Sequence, residues 1–160
     1  MTEHPIPFSS SMILAILEGR KSQTRRVMNP QPPEEYSKII TGLYHPAMVD
    51  KDGEQYPGDE IFGAYTDDGE WGLKCPWGQP GDHLWCREGL RWSKVGTPTR
   101  YAADDCPVMK DGESLAWPWL NPTLPSIFMP RWASRITLEI TDIRAERLNC
   151  LTGEDAFAEG

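Results

Sequence analysis

The chain has 160 residues, 39% hydrophobic and 25% charged, the composition of one soluble globular domain with a sizeable core rather than of a disordered segment. Fifteen prolines and 14 glycines argue against a helix bundle and for short strands joined by many turns. The net charge of -8 decides nothing by itself, because eight acids crowd residues 50 to 70 against one base, Lys51, while Arg20, Lys21, Arg25 and Arg26 cluster near the start.

In chain order, Ile6 to Phe8 is a short apolar segment flanked by proline, compatible with an edge strand. Ser9, Ser10 and Ser11 offer N-caps to a helix over Met12 to Glu18, and Gly19 suits the left-handed residue that ends it. The apolar run Met12 to Leu17 is far shorter than the ~18 residues of a membrane span. It also lacks the basic residues ahead and the cleavage site behind that mark a signal peptide, so the chain reads as cytoplasmic. Gln23 to Met28 is expected to be extended, and Asn29 to Pro33 to break regular structure.

From Ile39 to Trp77 the pattern is one of hairpins. Ile61 to Tyr65 and Trp71 to Lys74 flank the turn Asp67-Asp68-Gly69-Glu70, whose acids read as a solubilising loop without a function. Pro80-Gly81-Asp82 is a tight turn leading into a strand over His83 to Glu88. Leu84 and Cys86 share its inner face, with Trp85 and Arg87 on the other. Residues 93 to 125 read as a long irregular insertion anchored by Trp117 and Trp119. Pro130 to Ser134 suits a helical turn, and Ile136 to Thr141 alternates cleanly as the most secure strand. Thr152 then opens a helix with acids in its first turn.

Chemistry-bearing patterns are few. Cys75, Cys86, Cys106 and Cys150 are scattered without CxxC or paired His, which argues against a metal. There is no GxSxG and no phosphate-cradling glycine loop, and His4, His45 and His83 sit in unrelated contexts. No cofactor is expected. The informative stretch is Gly19-Arg-Lys-Ser-Gln-Thr-Arg-Arg26. On one continuous strand Lys21 and Thr24 would face opposite sides, so cooperation between them requires the turn after the helix to extend to about Ser22.

Ile13 to Arg26, read I-L-A-I-L-E-G-R-K-S-Q-T-R-R, resembles the opening helix and GxKxxTxR-type motif of the ASCH domain, a branch of the PUA-like β-barrels. Gln79 to Glu88 is similar to a turn and strand of that family. Pro125 to Glu139 and Glu154 to Gly160 are similar to its phage and prophage members. The resemblance covers both ends and the middle of the chain, but not residues 29 to 60 or 95 to 122.

It implies an α+β domain over residues 1 to 160: a small PUA-like β-barrel with flanking helices, truncated at its C-terminus. Members of the family continue past the equivalent of Glu159-Gly160 with the rest of a helix and a closing strand. A cleft between barrel and first helix would bind RNA or a modified nucleoside through Arg20, Arg26 and Arg131, with Trp85 stacking the base.

One branch, the bacterial N4-acetylcytidine amidohydrolases, uses a Lys, a Thr and a Glu, which correspond to Lys21, Thr24 and Glu159. Ser22 replaces the more usual Thr. Amide deacylation builds charge on a carbonyl oxygen, so Lys21 is either its stabiliser or a base. Thr24 as nucleophile and Glu159 with water as base both stay open. The plainer alternative is that Thr24 caps a strand start and Lys21 pairs with Glu159 to pin the last helix. A third expectation is a non-enzymatic role in phage assembly, with phage structural proteins as partners and no membrane.

Overall fold

The computed structural model describes residues 1–36, 38–92 and 98–160. Strand β1 (Glu3–Pro7) leads into helix α1 (Ser10–Leu17), capped by the Ser9 hydroxyl, which accepts from the Met12 amide. There follow β2 (Ile40–Tyr44), β3 (Ala47–Val49), β4 (Gln55–Pro57), β5 (Ile61–Tyr65) and β6 (Gly72–Lys74). The central strand is β7 (His83–Arg87), continued by β8 (Leu90–Arg91). After it come β9 (Arg100–Tyr101), β10 (Met109–Lys110), β11 (Glu113–Ser114), β12 (Thr123–Leu124), β13 (Thr137–Glu139) and helix α2 (Gly153–Ala158). No described helix is long and apolar enough to cross a membrane.

β7 lies between β1, to which it is parallel, and β13, to which it is antiparallel. Alternation on β7 sends Leu84 and Cys86 into a core with Ile6, Phe8, Ile13 of α1 and Ile140. The expected strand over 136–141 forms a ladder only at Thr137–Glu139, although the Cys86 amide donates to the Ile136 carbonyl and the Ile140 amide to Asp82.

Residues 40–74 form the expected hairpins. β2, β5 and β6 make an antiparallel meander, and β3–β4 a separate ribbon. Gly63 is required where it stands, because a Cβ there would fall 2.2 Å from the Leu73 carbonyl oxygen of the paired strand. The acids of the 67–70 turn are not merely solubilising. Asp68 accepts from the Thr66 and Tyr36 hydroxyls and from the Glu70 amide, and these bonds hold its carboxyl below its usual range.

Residues 23–28, expected to be extended, pair in no described strand; the Gln23 amide goes to the Ala158 carbonyl, as does that of Ser22. Those donors are therefore not free to join a ladder. One expectation needs correction.

The insertion at 93–125 is organised from residue 98 onward, its residues 93–97 lying outside the described residues. β8 pairs with β9 and β12, and β10–β11 is a hairpin. These strands cover a second core of Leu90, Tyr101, Val108, Met129 and Ala133, with Trp117 and Trp119 packed against it.

The expected α+β class is met, in five open sheets of two or three strands each, while none of the described sheets closes into a barrel. Closure needs continuous pairing around a tilted ring, and strands of two to five residues separated by prolines supply only local ladders.

Candidate functional site

The end of α1 delivers Lys21. Gly19 takes φ 72°, a conformation that costs glycine nothing, and the chain turns so that the Arg20 and Lys21 amides both reach the Ala15 carbonyl. These bonds carry the turn as far as Lys21, one residue short of the Ser22 that Lys21–Thr24 cooperation requires, and no hydrogen bond among the described residues joins Lys21 to Thr24.

From the other end of the sequence, α2 is set by a capping box. The Thr152 hydroxyl accepts from the Asp155 amide while the Asp155 carboxylate takes the Thr152 amide. The Ala158 carbonyl, near its end, accepts the Ser22 and Gln23 amides at 2.9 Å each. Gly160 allows this closeness: at φ 85° an added Cβ would lie 2.8 Å from the Ala15 Cβ and 3.0 Å from the Lys21 Cβ.

At this junction the Lys21 side chain is only 3% exposed, and its Nζ donates to the Glu159 carbonyl (2.5 Å) and carboxylate (3.0 Å). Arg25, which the sequence did not single out as a ligand-binding residue, completes the junction. Its guanidinium reaches Glu159 at 3.3 Å, Asp155 at 3.2 Å and Glu146 at 3.7 Å. The Asp155 carboxyl is pulled down to about 2, chiefly by its bonds from Thr152 and further by Arg25. The buried Thr24 hydroxyl oxygen has no hydrogen-bond partner among the described residues.

The remaining predicted residues are less concentrated. Arg20 is exposed, paired with Glu18 and within 3.4 Å of the Gly160 carbonyl. Arg26 donates to the Pro7 carbonyl with its guanidinium over the Phe8 ring. Arg131 makes two 2.8 Å bonds to Glu3. Trp85 is only 9% exposed, and its ring carries the guanidinium groups of Arg87 and Arg131 at 5.0 and 5.7 Å. A base would have to displace an arginine to stack there. No hydrogen bond or ion pair among the described residues joins Arg131 or Trp85 to Lys21, Thr24 or Glu159.

A second charged cluster escaped the sequence reading. Glu88, just past β7, is 2% exposed at its side chain and takes two 2.9 Å bonds from Arg135. Arg135 also donates to Asp104 at 2.7 and 3.1 Å and lies over the Tyr101 ring at 3.9 Å. Burial opposes its charge, but the bonds to the two carboxylates outweigh that and push its pKa up. The thiol of Cys86, two residues before Glu88, is pushed up to about 12 by burial and by the Glu88 charge. The signal for this cluster was a glutamate ending an apolar strand, together with an arginine preceding another.

Comparison with protein-family models, with curated proteins and with solved structures finds no match to this chain.

Proposed function

We propose that this chain is a PUA-like, ASCH-type protein that binds RNA or a modified nucleoside at the junction of Lys21, Thr24 and Glu159. One observation carries the reading: a buried lysine held by a glutamate more than a hundred residues away, with an unpartnered buried hydroxyl three residues along the same loop. Buried polar groups ordinarily find partners, so an orphan hydroxyl three residues along the chain from a fixed charge suits a ligand's polar edge. Arg20 and Arg26, exposed on either side of Lys21, would supply the attraction for phosphate. The expected behaviour is RNA affinity that falls steeply as salt rises and is weakened by Lys21→Ala. Salt-independent binding, or none from a folded sample, overturns it.

The direct Lys21–Glu159 contact also favours a second reading, hydrolysis of an acyl amide on an N4-acylated cytidine. Both partners of Lys21 are acceptors, which suits a group that donates to an oxygen gaining negative charge. Glu159, partly exposed, would take the proton of an attacking water or of Thr24. Incubation with N4-acetylcytidine, with cytidine release followed by chromatography, tests it. Release by the wild type, reduced at least about a hundredfold in Lys21→Ala, is the expected result. A folded wild type that releases nothing removes the enzyme reading and leaves binding.

A further inference from the structure

The sheet β1–β7–β13 has two edges that differ in what they offer a further strand. On β1 the Thr2 carbonyl accepts from the His83 amide and the Phe8 amide donates to the Arg87 carbonyl. Alternation then turns the backbone of Glu3, Pro5 and Pro7 outward. The two prolines have no N–H, and the Pro7 carbonyl is already taken by Arg26, so this edge is closed. β13 is the opposite case. The Ile136 carbonyl accepts from Cys86 and the Ile140 amide donates to Asp82, which points the N–H and C=O groups of Thr137 and Glu139 away from β7. No hydrogen bond among the described residues occupies these groups, and both residues are exposed. No proline lies between Arg131 and Thr141 to block them.

The residues of β13 narrow what fits that edge. Ile136-Thr-Leu-Glu-Ile140 is palindromic in its apolar positions, all three of which face the first core. An antiparallel copy turned about Leu138 sets Leu138 against Leu138 and Ile136 against Ile140, continuing the apolar row. On the exposed face it sets Thr137 against Glu139, a hydroxyl donor against a carboxylate. These are the residues with free backbone groups, and as a hydrogen-bonded pair they exchange both of their bonds. Neighbouring registers do worse. An axis at Glu139 brings two carboxylates face to face, and an axis at Thr137 leaves Ile140 opposite Ser134.

We propose that β13 is a self-pairing edge, through which two copies of this chain join antiparallel about a two-fold axis at Leu138. The two three-stranded sheets become one continuous sheet, held by the backbone groups of Thr137 and Glu139. A second copy fits better than an unrelated strand because the apolar row reads the same in both directions. The proposal does not rest on the reading of Lys21.

The test is sedimentation velocity of the full chain from about 1 μM to about 1 mM, with circular dichroism as the check on folding. A monomer–dimer equilibrium is expected within that range. Thr137→Pro removes one outward N–H, as Pro5 and Pro7 do on β1, and leaves the bonds to β7 in place. It should give a folded monomer. Two charge variants read the register, in salt at which charges more than about 8 Å apart are screened. Thr137→Lys faces Glu139 of the partner subunit and should tighten the dimer about fivefold, whereas Thr137→Glu should loosen it by a similar factor. Both readings stand should Thr137→Pro fail to fold. The proposal is overturned by a chain that stays monomeric throughout, by a dimer that survives in folded Thr137→Pro, or by Lys and Glu variants that shift it in the same direction.

Discussion

A lysine with 3% side-chain exposure is sustained only where acceptors replace the water it has lost, and Lys21 has two, both from Glu159. Glu88 poses the same problem with the sign reversed. Its carboxylate is more deeply buried and is matched by both arms of Arg135. Removing Arg135 strands the buried Glu88 charge, whereas removing Glu88 leaves Arg135 its two bonds to Asp104. Arg135→Met should therefore cost about 3–5 kcal/mol in urea unfolding and Glu88→Leu less, while the paired change should cost clearly less than the sum of its singles. Additive losses would show that the pair is not coupled. Thr24 differs again, since its hydroxyl has lost water without gaining a partner and is the cheapest of these groups to offer to a ligand.

At the scale of elements, α2 is a six-residue helix with no buried residue and with Phe157 85% exposed, so apolar packing does little to place it. Its own capping box and its bonds to residues 21–25 place it instead. The pH dependence follows from Asp155. Its folded pKa of about 2 lies below the ordinary value of 3.8, so its contribution is complete above about pH 4 and disappears as pH falls toward 2. Protection of the Ser22 and Gln23 amides against hydrogen exchange, corrected for intrinsic rates, should follow that course. In Thr152→Ala the loss should begin at higher pH, because the bonds that depress Asp155 come chiefly from Thr152. An unchanged profile would mean that α2 is held by something other than this carboxylate.

Over the whole molecule, two cores are tied together by one run of chain. β7 lines the first and β8 the second, and between them Glu88 and Gly89 leave no room for a linker. The fully buried Met129 binds back across this junction, its sulfur accepting from the Glu88 amide and its carbonyl from Arg87. The two cores should accordingly unfold in a single transition. Met129→Ala should lower its midpoint by a loss of about 2–5 kcal/mol, read equally by tryptophan fluorescence and by far-ultraviolet circular dichroism. Separated transitions would show that the second core is an independent unit.

Local signals determined much of this protein. The Ser9 cap, the Gly19 stop, the hairpin around Asp67–Glu70, the strand at His83 and the Thr152 cap were legible because each depends on residues within four or five positions of one another. The β10–β11 hairpin was legible too but unread: Asp111 and Gly112, at φ 54° and 85°, form the two-residue turn that an Asp-Gly pair favours. The resemblance to ASCH domains singled out Lys21, Thr24 and Glu159 together. The meeting of Lys21 and Glu159, the part played by Arg25 and the Glu88–Arg135–Asp104 cluster were decided by tertiary structure. Each of these charges has several possible partners in the sequence. Which one it meets is set by how strands far apart in the chain stack, and no short-range pattern encodes that choice.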